Sequence, residues 1–377
     1  MNIVKHLLPL LLLVPLLSSP AFGTEEKLVI ARGGAAGHLT AHTLPAVTLA
    51  IAMDADMIKI DLVLTRDNEV VVLPSPYLEE SSNVRELFAD RIREDGHFYA
   101  LDFDLEEIRL LSRLSAADRV QHGVQPRMSI PTFGEELALI QGLEKSLHKR
   151  VAIAVEIKQP WLHRREKRDI TSPVLDILQS FDYGNGAGKL FLLSYDETEL
   201  RSMARTLLPK RGMAVKLVQL IESNHGRETM TEEWGEWSSY NYDWMFSNTG
   251  LRSLSRSVSA IGIPKEMLAD PQGQLKLDTF VKNAHRLGTM IFTFITDKEQ
   301  PSEHTSAQSF TEELEFFYFT ADVDGVITDF CGEAVHYLQN RPAAPQMPVE
   351  DKGMVSPTPT TIDPLHLTSP LQYQPEN

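Results

Sequence analysis

Short apolar runs recur along this chain and fix what it can become. Residues 28–31, 57–64, 70–73, 151–157, 190–193, 215–221, 260–263, 290–293 and 325–328 are rich in Val, Ile and Leu. Several lack the alternation of a strand with one wet face, as expected where a parallel sheet is covered on both sides. Helix-like segments such as 173–179, 197–207 and 277–287 lie between them. Strand–helix alternation over this length predicts an α/β protein, a (β/α)8 TIM barrel first and an open doubly wound sheet second.

Two stretches break the rhythm. Residues 79–133 are long and charged, with a helical pattern over 105–115, and read as an insertion after an early strand. Residues 341–377 carry eight prolines, from Pro342 to Pro375, among Ser, Thr, Gln and Asp. That composition buries little and holds the backbone extended, so this segment is expected to be a disordered tail.

The N-terminus points to a compartment. Lys5 and His6 precede an apolar run over 7–17, which ends in Ser18-Ser19-Pro20 and Ala21-Phe22-Gly23. A basic start, a short apolar core and a small-x-small ending predict a signal peptide over 1–23. A barrel over 24–340 would then be secreted or periplasmic. The apolar run falls short of the ~20 residues of a membrane span, and no cysteine follows it to carry a lipid, so no transmembrane anchor is expected after cleavage. Cys331 is the sole cysteine. With no internal disulfide, stability must come from a buried core, and Cys331 is expected to be part of it. A formal charge of -16 disfavours nucleic acid and anionic membranes as partners, although a local basic pocket could still take a small anion.

Val29-Ile30-Ala31-Arg32-Gly33-Gly34-Ala35-Ala36-Gly37-His38-Leu39-Thr40-Ala41-His42-Thr43-Leu44 reads as one unit. It resembles the opening motif of the glycerophosphodiester phosphodiesterase family, V-I-A-H-R-G-A-x-G-x-x-P-E-(H/N)-T-L. Ile58-Lys59-Ile60-Asp61-Leu62 is similar to that family's L-E-x-D-(L/V), Val72-Leu73-Pro74-Ser75 to its V-x-H-D, and Glu156-Ile157-Lys158 to its E-I-K. The likeness continues through Leu217-Val218-Gln219-Leu220, Tyr240 to Met245 and Thr328-Asp329-Phe330, covers about residues 26–338, and is closest to the periplasmic calcium-dependent branch.

The resemblance implies a (β/α)8 barrel that hydrolyses glycerophosphodiesters to glycerol 3-phosphate and an alcohol. It also implies a divalent cation held by the two acids of E-x-D and the Glu of E-I-K, and two histidines as general acid and base. Position by position, this chain departs from that set. Arg32 stands at the first histidine and Gly33 at the arginine that follows; a one-residue slip would instead leave Ala31 at the histidine. Ala41 replaces the Glu of P-E-(H/N)-T, Lys59 the first metal acid, Pro74 the second histidine and Ser75 its neighbouring Asp. Asp61, Glu156 and Lys158 match. Leu193 and Ile295 stand where the periplasmic branch carries Gln and Arg.

General acid–base catalysis needs a group that can carry a proton near working pH. A guanidinium stays protonated throughout that range, and proline carries no titratable group. Three carboxylates suit Ca2+ or Mg2+, but Lys59 leaves two carboxylates and adds an ammonium. The Lys59 ammonium is therefore expected between Asp61 and Glu156, in the cation's place, and no cofactor is expected. The alternative is a weak Ca2+ or Mg2+ site that survives on Asp61 and Glu156. Arg32, Lys59 and Lys158 are candidates to hold a small phosphorylated or anionic ligand; equally, Arg32 and Lys158 could pair with Asp61 and Glu156 in an inert cluster. His38 and His42 are expected in loop or helix-cap roles. Trp234 and Trp237, which lie among acids, are expected in a surface loop. Three functions stay open: an impaired or inactive family member that binds a ligand at the barrel mouth; a divergent phosphodiesterase that still releases glycerol 3-phosphate through His38, His42 or a metal-bound water; and a different reaction such as phosphodiester transfer or cyclising cleavage.

Overall fold

The structure, a computed structural model, describes residues 27–114, 128–186, 188–270, 272–296, 307 and 309–341. The expected signal peptide, the tail beyond Arg341 and residues 115–127 of the insertion lie outside the described residues.

Eleven strands form in chain order: β1 (Leu28–Arg32), β2 (Met57–Leu64), β3 (Val70–Val72), β4 (Ala152–Ile157), β5 (Leu190–Ser194), β6 (Lys216–Leu220), β7 (Met230–Glu233), β8 (Glu236–Ser239), β9 (Ala260–Pro264), β10 (Met290–Ile295) and β11 (Gly325–Thr328). Eight of them, β1, β2, β4, β5, β6, β9, β10 and β11, pair in parallel and in that order, and β11 closes back on β1. This is the (β/α)8 barrel that the run pattern predicts. β3 turns back on β2 as an antiparallel partner at its outer edge.

Successive residues of a barrel strand face alternately inward and outward. Ile30, Met57, Ala154, Phe191, Val218, Ala260, Phe292 and Ile327 pack as one interior cluster. Further along in steps of two, the inward positions turn polar: Arg32 in β1, Lys59 and Asp61 in β2, Glu156 in β4, then Lys158 and Asp329 just past strand ends. The barrel is thus filled with hydrocarbon at its N-terminal end and with charge at its C-terminal mouth. Outward residues such as Ile58, Ile60, Ile153 and Val155 are fully buried beneath the helices in a second, larger cluster. Cys331 belongs to that outer layer, where burial pushes its thiol up to about 11.

The insertion contains five single turns, at Leu78–Glu80, Val84–Leu87, Ala89–Arg91, Ala100–Asp102 and Leu105–Ile108. They pack on their own core, which includes Val71, Leu73, Phe98, Phe103 and Ile108. The helix expected over 105–115 stops at Ile108. Arg109, Leu110 and Leu111 still bond back to the preceding turn, and from Ser112 the backbone bonds sideways: Ser112 N–H donates to Asn83 Oδ1, and Arg113 N–H to Met128 O.

The second departure is a hairpin. Of Trp234 and Trp237, both expected in a surface loop, Trp234 is in the exposed turn Trp234-Gly235, but Trp237 lies in the second strand of the antiparallel pair β7–β8. Trp237 packs against Trp161 at 5.3 Å between ring centroids, beside Tyr99, Tyr77 and Met230. Among the described residues no helix is long and apolar enough to cross a membrane.

Candidate functional site

The charged mouth is assembled by the strand register. Arg32 of β1 lies beside Lys59 of β2, and Asp61 lies beside Glu156 of β4. Lys59 and Asp61 are two residues apart on one strand, so both point into the barrel. Lys59 Nζ contacts Asp61 Oδ1 and lies 2.5 Å from Glu156 Oε2, with all three side chains almost wholly buried. Lys158 Nζ sits 2.8 Å from Glu156 Oε1 and 2.8 Å from Glu228 Oε1. Two carboxylates therefore clasp each ammonium. Burial opposes the charge on Lys158, but Glu156 and Glu228 outweigh it and hold its pKa well above that of an ordinary lysine.

Arg32 reaches neither Asp61 nor Glu156 by hydrogen bond. It makes a two-pronged pair with Asp329, just past the end of β11, through Nε at 2.7 Å and Nη2 at 2.6 Å. This fork geometry suits a guanidinium to a carboxylate, and it engages Nε and Nη2 while the Arg32 side chain stays partly exposed. Burial works against the Arg32 charge, and the Asp329 bonds more than restore it. Pro74, just past β3, is half-buried and offers no donor; Ser75 Oγ accepts from Tyr77 N–H instead of turning to a substrate. Leu193, an inward residue of β5, is buried and apolar at the mouth, whereas Ile295 faces outward and is buried in the layer beneath the helices.

The loop after β1 carries His42 against the site. Gly33 and Gly34 adopt φ of +63° and +91°, and a Cβ on Gly34 would come within 2.4 Å of the Ala46 backbone carbon. Only glycine lets the loop fold that tightly over the helix Leu44–Ala52. The fold-back buries His42, itself at φ +58°, with Nε2 3.4 Å from Asp61 Oδ2. Burial and the cations Arg113, Lys59 and Arg32 push His42 well below the usual histidine range, so its ring is neutral. Thr43, not His42, caps the helix, and His38 lies exposed in a turn.

Four more carboxyls complete the electrostatics. Besides Asp329 they are Glu228, whose pKa rises through burial against the opposing pull of Lys158, and Glu222, pushed up to about 7 by burial and Glu228. The last is Glu136, on the core face of the helix Phe133–Leu147, pushed up to about 8 by burial and by Asp61. Asp329 and Glu228 lie far from their partners in sequence, and Glu136 looks like one more acid at the start of a helix, so no local pattern marks their roles.

The donor set does not fit a divalent cation. Hard cations take six to eight oxygens, or an octahedron of them, whereas the space between Asp61 and Glu156 is occupied by the Lys59 ammonium. Among the described residues no three His, Cys, Asp or Glu side chains are grouped to hold a metal. The tyrosines after the hairpin pack together: Tyr240 and Tyr242 stack edge to face at 4.9 Å, and Tyr242 is buried.

Comparison with known proteins adds a family. A sequence model of the glycerophosphoryl diester phosphodiesterase family matches residues 32–333. The chain is 32% identical to a glycerophosphodiester phosphodiesterase of Treponema pallidum, over 83% of this chain and 92% of that one. It is also 32% identical to one of Haemophilus influenzae, over 84% and 90%. The structure of an Oleispira antarctica phosphodiesterase in complex with the product sn-glycerol-3-phosphate shares the fold, with a TM-score of 0.56 at 16% identity over 83% of this chain and 96% of that one.

Proposed function

The chain belongs to the glycerophosphoryl diester phosphodiesterase family, and from that premise we propose that it is an exported, non-hydrolysing member that binds a phosphorylated ligand at the barrel mouth without a metal. The observation that carries this reading is the Lys59 ammonium in contact with both Asp61 and Glu156. A fixed positive charge there neutralises the two carboxylates, as a cation would, but it cannot exchange and has no open coordination position for a phosphate oxygen or water. The proton carriers are missing as well. Arg32 cannot release a proton at working pH, Pro74 has none, and His42 is buried and resists taking one.

Ligand binding enters through Lys158. Its outer partner Glu228 is the more exposed of its two carboxylates and sits on a loop. Because the Glu228 pKa is raised, it gives up its charge more readily than an ordinary carboxylate. A phosphate monoester approaching from solvent takes its place on Lys158, with Arg32 at the opposite side of the mouth. Export rests on the N-terminal pattern of residues 1–23.

One observation favours a second reading. Glu222, pushed up to about 7, has the pKa of an effective general acid or base, and it lies at the mouth beside Glu228. A divergent hydrolase would use it where the family uses histidine.

The deciding experiment measures glycerol 3-phosphate release from glycerophosphocholine and glycerophosphoethanolamine by the mature protein, with Ca2+, Mg2+ or chelator. The control is Asp61→Ala/Glu156→Ala. Release no greater than the control, together with a melting temperature raised by glycerol 3-phosphate, is the expected result. Release that disappears in the control or in Glu222→Gln would establish the hydrolase and end the non-hydrolytic reading.

A further inference from the structure

The β7–β8 hairpin carries a tryptophan in a place that nothing among the described residues of one copy accounts for. A two-residue hairpin turn with both central residues at positive φ favours Asn, Asp or Gly. Here Trp234 has φ +57° and Gly235 φ +87°. A bulky side chain in the left-handed region is an outlier, and this one gains no burial in return, being 101% exposed. The folded monomer is therefore worse off for having Trp234, in backbone and in solvation alike. Below the tip, the hairpin is anchored by Trp237 on Trp161, so the tryptophan is presented from a packed base. Glu232, Glu233 and Glu236 surround it, all exposed. The result is an apolar tip with an acidic collar.

The opposite end of the barrel offers a complement. The loops that lead into β4, β5 and β6 border a cleft of about 620 Å³. Lys145, Lys149, Arg150 and Lys189 line it, with the rings of Phe181 and Tyr183. Glu144 and Asp182 also line it, but Glu144 is bonded to Lys189 at 2.7 Å. Lys149 is paired with Asp54 and Lys189 with Glu144, whereas Lys145 and Arg150 form no ion pair among the described residues. In a chain of net charge -16, a cleft with four cations and two aromatic rings stands out.

We propose that Trp234 of one copy seats in this basal cleft of a second copy, with its glutamate collar against Lys145 and Arg150. The hairpin follows β6 and lies on the C-terminal face, while the cleft precedes β4 and β5 and lies on the N-terminal face. Each copy thus presents one tip and one cleft on opposite ends. Such a contact is heterologous: it stacks barrels head to tail and ends in a ring or an open filament. Aromatic anchors in well-packed pockets dominate interface energies, and charge complementarity selects the partner and the register.

The test is sedimentation of the mature protein over a wide concentration range. The proposal expects reversible, concentration-dependent assembly that weakens with added salt. Trp234→Gly should raise the apparent dissociation constant by about thirtyfold or more, and Lys145→Glu/Arg150→Glu should do the same, with circular dichroism showing both folded. Mixed together, the two variants should form a heterodimer and nothing larger, because one supplies the only cleft and the other the only tip. Wild-type protein that stays monomeric throughout overturns the proposal. So does assembly that only one of the two variants abolishes, or variants that fail to complement; either outcome assigns tip and cleft to other occupants, such as a different basic-rimmed protein or a small anion.

Discussion

Glu136 allows a quantitative test of the packing beside the site. It occupies a core-facing position of the helix Phe133–Leu147, is 1% exposed, and its Oε2 has no hydrogen-bond partner among the described residues. Burial, with Asp61 nearby, pushes its carboxyl from 4.5 up to about 8. A folded pKa above the unfolded one means that the folded protein holds the proton longer, so this group's contribution is full below pH 4.5 and is lost as pH rises through 8. Each unit of difference is worth about 1.4 kcal/mol, so the complete loss is about 5 kcal/mol, of which about 4 kcal/mol falls between pH 5 and pH 9. Glu136→Gln keeps the shape and removes the titration. Urea unfolding of both proteins at several pH values reads the difference directly, and the amide's own burial cost drops out because it is constant with pH. The variant should gain about 4 kcal/mol on the wild type between pH 5 and pH 9. Two stability curves that run parallel within about 1 kcal/mol would mean instead that Glu136 is hydrogen-bonded or hydrated in solution.

Removing the Lys59 ammonium leaves Asp61 and Glu156 buried beside each other. Lys59→Met should therefore destabilise the fold by about 3–5 kcal/mol at pH 7, read by urea unfolding; Lys158, which still neutralises Glu156, favours the lower end. His163 is wholly buried and pushed down to about 4 by burial, while its Nε2 accepts from Leu64 N–H at 3.3 Å. Its folded pKa lies below the unfolded one, so its contribution holds above pH 6.5 and about 3 kcal/mol of stability is lost as pH falls toward 4. Its imidazole NMR shifts should stay flat from pH 8 to about pH 5, and titration near 6.5 would contradict this. Asp329→Asn should release one prong of the Arg32 pair and strengthen glycerol 3-phosphate binding severalfold by calorimetry; unchanged or weaker binding would place the ligand away from Arg32.

The barrel was readable because parallel strands covered on both faces are written as near-continuous apolar runs: residues 57–64 are interrupted only by Lys59 and Asp61, and residues 151–157 only by Glu156. The β7–β8 hairpin was not readable. Met230–Glu233 and Glu236–Ser239 are polar edge strands, and their turn is Trp-Gly where a hairpin signal would be Asn-Gly. The same division holds at the site. Lys59, Asp61, Glu156 and Lys158 fall in two short motifs, and register alone brings those motifs side by side. Arg32 was visible as a misplaced cation, but its partner Asp329 lies 297 residues away, and no local pattern joins them. His42 was placed in a loop or cap because a sequence does not show that two glycines fold it back under Asp61.

A Ca2+ titration of wild type and Lys59→Glu, followed by thermal unfolding, tests the claim that the Lys59 ammonium stands in for a divalent cation. Lys59→Glu restores three carboxylates at the mouth, so it should melt lower than wild type in chelator and gain about 2.7 kcal/mol when Ca2+ exceeds its dissociation constant a hundredfold. Wild type should melt at the same temperature in Ca2+ and in chelator. A wild-type protein that Ca2+ stabilises, with the effect lost in Asp61→Asn, would contradict the claim and return the mouth to metal chemistry.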